Sequence, residues 1–321
     1  MTAAVSAALL ASIPSPSSNE IVIGPLHLRA YGLMIALGVI AAVELGRRRW
    51  KARGHDPDDV SSMALWAVPA GLIGARLYHV ITDWRRFEGQ WFNVVKVWEG
   101  GLGIPGGIAL GALAGVLYAR HKKLPLGDLA DAIAPALPLA QAIGRLGNWF
   151  NQELFGGPTT LPWGLEIDPV HRPERYVDVA TFHPTFLYEG VWNLGLMTAL
   201  ILIDRKRVLR SGSIFWLYVA GYATGRLWVE AMRIDPASLI LGIRVNIWTS
   251  IIALVVALTI VVVRGRRRPE DDEPPSGDVA DDGADGDART DTATGAGDAE
   301  LTAVEAGGAD EAPAPDDDAG G

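Results

Sequence analysis

Residues 247–263 read IWTSIIALVVALTIVVV and contain no charged side chain. A run of this length and character has one stable fate in a bilayer. The hydrocarbon core is about 30 Å thick, which about 20 helical residues span. Only a helix satisfies all of its own backbone hydrogen bonds there without an edge. Six further stretches share the pattern, so the chain is read with seven spans, near 28–46, 61–82, 104–120, 128–150, 185–204, 212–232 and 246–264. A water-soluble protein would have to bury all seven of these apolar helices at once, so the expected fold is an all-α polytopic membrane protein.

The basic residues set an orientation. Sixteen Lys/Arg follow spans one, three, five and seven, beginning with Arg47-Arg48-Arg49 and ending with Arg266-Arg267-Arg268, and seven lie in the other loops. Positive charge collects on the cytoplasmic side. The sequence therefore predicts an N-terminus outside and a C-terminus in the cytoplasm. Net charge alone hides this pattern. Residues 1–268 hold 27 Lys/Arg against 19 Asp/Glu, whereas residues 269–321 hold 18 Asp/Glu and one Arg. That tail, rich in Gly, Ala, Asp and Pro, has too little apolar surface to offset its ordering entropy, and disorder is expected. Three regions result: an extracytoplasmic segment 1–20, a seven-helix domain 21–268 and an acidic cytoplasmic tail 269–321. No basic residue precedes ALLASIP in the first segment, so no cleaved signal peptide is expected.

Composition removes several kinds of chemistry. With no cysteine, disulfides, thiol catalysis and Cys-based metal sites are excluded. Histidines do not recur at helical spacing, so no metal and no cofactor is expected, and nothing suggests nucleic acid. The run GGLGIPGGIALG (Gly100–Gly111) lacks the lysine and the preceding strand of a phosphate loop. It reads instead as an irregular start to span three.

Four arginines, Arg29, Arg76, Arg145 and Arg226, fall inside or at the edge of spans, all in the outer half of the membrane. Each costs about 3 kcal/mol to insert by translocon scales. One such arginine is explained by snorkelling or by pairing with a carboxylate. Four at one depth, with few acidic residues in the spans, point to a shared anionic ligand. In span four, Gln141, Arg145 and Asn148 lie on one helical face; in span six, Tyr222, Arg226, Glu230 and Arg233 form another stripe. Glu230 is placed to pair with Arg226 or Arg233. Guanidinium forks suit phosphate, and at headgroup depth the phosphate of a lipid is within reach. Two other readings stay open on the residues alone: a transporter for anionic lipids, and a polar seam that only holds helices together.

The segment GRLGNWFNQELFG (Gly144–Gly156) resembles the signature of the prolipoprotein diacylglyceryl transferases, a bacterial inner-membrane enzyme family. Tyr31-Gly32-Leu33, Gly74-Ala75-Arg76, His183-Pro184-Thr185 with Leu187-Tyr188-Glu189, and Arg226, Glu230 and Arg233 fit as well, so the likeness covers roughly residues 20–265. The resemblance implies seven spans and transfer of the diacylglyceryl group of phosphatidylglycerol to the lipobox cysteine thiol of a prolipoprotein, releasing glycerol 1-phosphate. It implies a plasma-membrane protein whose site faces the outer leaflet, with phosphatidylglycerol and the signal peptides of prolipoproteins as partners. Arg145 and Arg226 are then the expected catalytic residues. Asn148, Glu153 and Gly156 shape the lipid site, Tyr31 and Tyr222 meet the headgroup, Glu230 orients Arg226, and Arg233 and Arg76 add substrate contacts. One position departs from the pattern: many relatives carry a histidine, proposed as a general base, where this chain has Pro105. His79 is a second candidate base, and His183 is read as structural.

Overall fold

The computed structural model describes residues 12–24, 26–96 and 100–264. The expected acidic tail and most of the expected extracytoplasmic segment 1–20 lie outside these residues. A short hairpin, β1 (Glu20–Ile23) and β2 (Leu26–Arg29), pairs Glu20 with Arg29 and feeds straight into α1 (Ala30–Lys51). Then follow α2 (Asp58–Thr82), α3 (Ile104–His121), α4 (Leu126–Ile133), α5 (Ala136–Asn151), α6 (Thr185–Arg205), α7 (Ser213–Met232) and α8 (Val245–Arg264). Two more hairpins punctuate the chain: β3 (Leu165–Glu166) with β4 (Thr181–Phe182), and β5 (Leu239–Ile240) with β6 (Ile243–Arg244). The protein is mostly helical, and the helix limits follow the apolar runs closely.

Four of these helices, α1, α2, α6 and α8, are long and apolar enough to cross a membrane. The remaining expected spans are less apolar for identifiable reasons. Helix α3 is 18 residues long, Gly-rich and ends in Arg120-His121. Helix α7 carries Arg226 and Glu230. The expected span 128–150 is not one helix: it breaks between Ile133 and Ala136, and Pro135 caps α5. Proline has no N–H to continue the ladder and disfavours helical geometry at the residue before it.

Glycine governs one of the closest packings. Helices α2 and α3 approach so tightly that a β-carbon on Gly74 would collide with the Gly106 carbonyl, and one on Gly106 with the Gly74 carbonyl. The glycine run of 100–111 thus serves helix–helix contact. At the end of the bundle where α1 and α6 finish and α7 begins, Asp204 bridges Arg49 (2.8 Å) and Arg53 (2.7 Å). Buried Asp131 accepts from the Gly212 and Phe215 amides at the start of α7. Those contacts tie helix ends that no covalent link brings together.

The segment between α5 and α6 builds its own small core from Phe155, Leu165, Ile167 and Phe182. It sits at the opposite helix ends, where α5 and α7 finish and α6 begins. Most of the candidate site residues gather there.

Candidate functional site

The site begins with a helix end. Helix α5 stops at Gln152, whose backbone is left-handed (φ 51°, ψ 47°). A non-glycine residue adopts this conformation only when its surroundings hold it there. Here the Gln152 side chain is fixed by donating to Asp168 Oδ2 (2.7 Å) and accepting from the Asp168 amide (2.8 Å). The reversal turns Glu153 back over the last turn of α5. Its Oε1 accepts from Asn148 Nδ2 (2.9 Å) and Asn151 Nδ2 (3.2 Å). Asn148 is buried, and its Oδ1 in turn accepts from Arg145 Nη1 (3.3 Å).

Arg145 reaches across to α6, where its Nε pairs with Glu189 Oε2. The other oxygen of Glu189 faces Arg226 Nη1 of α7 at 3.2 Å. A single buried carboxylate therefore bridges arginines from two different helices. Arg226 continues to Glu230 Oε2 (2.8 Å), one turn further along α7. Glu230 is fully buried and is surrounded by donors: Arg233 Nη1 at 3.7 Å, Arg244 Nε at 2.6 Å and Asn246 Nδ2 at 3.0 Å. Arg233 holds Asp235 with a two-pronged fork (2.7 and 3.0 Å). Burial alone would raise the Asp235 carboxyl, but its hydrogen bonds and charge contacts with Arg233 and Arg244 outweigh that and hold it below the usual carboxylate range. The same partner keeps Arg233 firmly protonated, its pKa raised despite burial.

Gly156 is pinned close by. Its amide donates to the His183 carbonyl (3.0 Å), and Gly157 donates to the Met232 carbonyl (3.1 Å). A β-carbon at Gly156 would lie 2.9 Å from the His183 Cβ and 3.2 Å from the Met232 oxygen, so this crossing requires glycine. Tyr31, at the start of α1, packs its ring on the backbone at Gly147, within electrostatic reach of Glu153 and Arg145. Tyr222 lies with Arg226, Glu189 and Asn193 around a cleft of about 10 Å³, room for one water, and stacks on Tyr218.

The structure thus brings together Arg145, Asn148, Glu153, Arg226, Glu230 and Arg233, with Gly156, Tyr31 and Tyr222 at the edges. It does not bring Arg76 or Arg29 to them. Arg76 is buried, and its donors go to backbone carbonyls of Asn93, Val94 (2.7 Å), Gly100 (2.6 Å) and Gly101 (3.1 Å), with Phe87 against its face. It fastens the loop between α2 and α3. Arg29 is exposed and pairs with Glu20 at 3.8 Å. Carboxylates also answer the buried charge more fully than the scarcity of acids in the spans suggests, since Arg145 and Arg226 both have acidic partners.

Sequence reasoning did not assign Glu189, Asp235, Arg244 or Asn246. Glu189 stood in the family-like Leu187-Tyr188-Glu189 stretch without a role of its own. Arg244 was counted only as a loop charge. The histidines have settled partners: His183 Nδ1 shares a hydrogen bond with Tyr188 Oη (3.1 Å), and His79 lies 3.9 Å from Asp83 with its ring edge-on to Phe87. Pro105 stands in the first turn of α3. Among the described residues no group of His, Asp and Glu could hold a metal ion.

These features define a mostly helical protein with helices long and apolar enough to cross a membrane, in which one buried carboxylate bridges two half-buried arginines beside a helix-terminal Asn/Glu turn. Residues 19–263 match the prolipoprotein diacylglyceryl transferase family, and the chain belongs to it. It is 51% identical over 263 residues to phosphatidylglycerol–prolipoprotein diacylglyceryl transferase 2 of Streptomyces coelicolor, covering 81% of this chain and 83% of that one. It is 53% identical over 266 residues to the Frankia alni enzyme of the same name, covering 82% and 70%. The Streptomyces griseus relative, also so named, is 49% identical over 267 residues, covering 82% and 81%.

Proposed function

We propose that this protein transfers the diacylglyceryl group of phosphatidylglycerol to the lipobox cysteine of prolipoproteins, in the plasma membrane, at a site open to the outer leaflet. Membership of the family and close similarity to enzymes of that name support the reaction. The charge asymmetry of the loops supports seven spans, an outer N-terminus and a cytoplasmic acidic tail. The observation that supports the mechanism is the Arg145–Glu189–Arg226 bridge, which joins guanidiniums from two separate helices to one carboxylate.

The substrate thiolate attacks the glycerol carbon that bears the phosphate. The new C–S bond forms as the C–O bond breaks, and the electron pair leaves on the oxygen of glycerol 1-phosphate. The thiol proton passes to water before attack. The protein needs no nucleophile of its own, in keeping with its lack of cysteine. Its task is to stabilise negative charge that grows on the departing phosphate. Arg145 and Arg226 are assigned that role, because preorganised donors act most strongly where charge develops. Glu189 and Glu230 fix their rotamers and offset their charge. Asn148 and Glu153 brace Arg145, Gly156 lets the chain pass close behind Arg233, and Tyr31 and Tyr222 face the headgroup. With Pro105 in the usual histidine position no side chain at that point takes the proton, and the attacking species is the fraction of about a few per cent that a thiol of free pKa about 8.5 carries as thiolate near neutral pH.

The test is transfer from phosphatidylglycerol to a lipobox peptide by purified protein, read as thioether product by mass spectrometry. Arg145→Gln is expected to insert and express normally yet lose at least about 100-fold in turnover, the scale of removing one charge-stabilising donor. Arg145→Lys should also be impaired, because a point charge cannot reproduce the fork. Absence of product from the unmutated protein, under conditions where a related enzyme works, refutes the assignment.

A further inference from the structure

We infer that Arg244 is a positioning residue for the transfer reaction, acting on Arg226 through Glu230; this rests on the transferase reading above. The two oxygens of buried Glu230 face different parts of the chain. Oε2 faces the arginines of its own helix end, Arg226 at 2.8 Å and Arg233 at 3.7 Å. Oε1 faces Arg244 at 2.6 Å and Asn246 at 3.0 Å, which arrive from β6 and the first turn of α8. The side chain that sets Arg226 is therefore itself set from outside α7.

Arg244 is well placed to act as a fixed post. Its Nη1 donates to the Asp235 carbonyl (2.9 Å) and the Arg233 carbonyl (3.4 Å), and its Nη2 pairs with Asp235 Oδ2 (3.0 Å). Its backbone is held by hairpin register, with Leu239 opposite Arg244 across a two-residue turn at Leu241 and Gly242, both at positive φ (52° and 77°). Such a turn joins strands without splaying them. The guanidinium is thus fixed on three sides before its Nε meets Glu230. Without it, Oε1 would keep only the Asn246 amide. A buried carboxylate short of donors turns to the nearest cation, which is Arg226. The guanidinium that must meet the phosphate would then be drawn towards Glu230. A sub-ångström error in such a group is enough to slow a reaction severely. Nothing places Arg244 against the substrate; it acts through Glu230.

The experiment uses the full chain in detergent–lipid micelles, with saturating lipobox peptide and varied phosphatidylglycerol. Arg244→Gln should lower turnover about 10- to 100-fold, the size typical of partners that orient a functional group. The KM for lipid should move less than about threefold. Arg244→Lys should recover part of the loss. In a Glu230→Gln background, Arg244→Gln should have little further effect, because both changes break one route. Leu239→Ala, an exposed change in the same hairpin that leaves every contact of the Arg244 guanidinium in place, should keep turnover within about twofold. Thermal unfolding of each variant identifies any that fail to fold, and the Lys variant then carries the comparison. Full turnover in Arg244→Gln, additive losses with Glu230→Gln, or an equal loss in Leu239→Ala would each overturn the inference. An inactive unmutated protein would sink the transferase reading instead, so the two failures are distinct.

Discussion

Replacing Glu189 by glutamine keeps the shape of the bridge and removes its charge. The carboxylate is 9% exposed and faces Arg145 and Arg226 with opposite oxygens. Breaking a buried ion pair by deleting one partner costs about 3–5 kcal/mol. Here the loss is softened, because Arg145 keeps Asn148 at 3.3 Å, Arg226 keeps Glu230 at 2.8 Å, and the new amide oxygen still accepts one bond. A net loss of about 2–3 kcal/mol remains, which for a chain of this size lowers Tm by roughly 4–12 °C. Two cations then stand close together with less to balance them, and an anionic phosphate fills that role. Adding phosphatidylglycerol should therefore restore most of the lost Tm, while zwitterionic phosphatidylcholine should not. The assay is thermal unfolding in detergent with each lipid titrated in. A loss below about 2 °C, or equal rescue by both lipids, would refute the reasoning.

Other outcomes follow from the same contacts. Gly156→Ala forces a β-carbon to 2.9 Å from His183 Cβ and should lose about 1–3 kcal/mol of stability, seen as a lower Tm. Arg76→Gln removes the clamp on the 93–101 loop, so limited proteolysis between α2 and α3 should accelerate while the KM for phosphatidylglycerol shifts less than about twofold. A large KM change with an intact loop would return Arg76 to the substrate site. Acid sensitivity should also have a definite sign. Asp235 is held below its ordinary pKa, so its contribution is complete at neutral pH and is lost as pH falls below about 4. Asp235→Asn should flatten that part of a Tm–pH curve.

The helices were legible because twenty apolar residues in a row leave few alternatives, and α6, for instance, begins and ends within a residue of its apolar run. The break at Pro135 was not legible by hydropathy, since the residues on both sides are equally apolar; only the missing backbone N–H marks it. The site was half legible. Arg145 and Asn148 share a face of α5 at i, i+3, and Arg226 and Glu230 share one of α7 at i, i+4, so periodicity finds them. What periodicity cannot find is which arginine meets which helix. Arg76 and Arg145 look alike in sequence, each late in an apolar run. One folds onto the carbonyls of its own following loop and the other crosses to α6, and tertiary packing alone makes the difference. Arg244 escaped because a positive-φ turn at Leu241-Gly242, which no residue preference announces at leucine, returns it to α7.

The site reads differently once its charges are counted together. Arg145, Arg226, Arg233 and Arg244 are joined in one run of contacts with Glu153, Glu189, Glu230 and Asp235, so guanidiniums and carboxylates balance. The network is therefore compensated within the chain itself, which lone half-buried arginines would not be. Balance also has a kinetic consequence. On the proposed mechanism, a resting lipid phosphodiester carries one charge and shares Arg145 and Arg226 with Glu189. The phosphate monoester that forms as the C–O bond breaks carries more charge and competes better for the same forks. On that mechanism the arginine forks bind the transition state more tightly than the substrate, and such a difference is what accelerates a reaction.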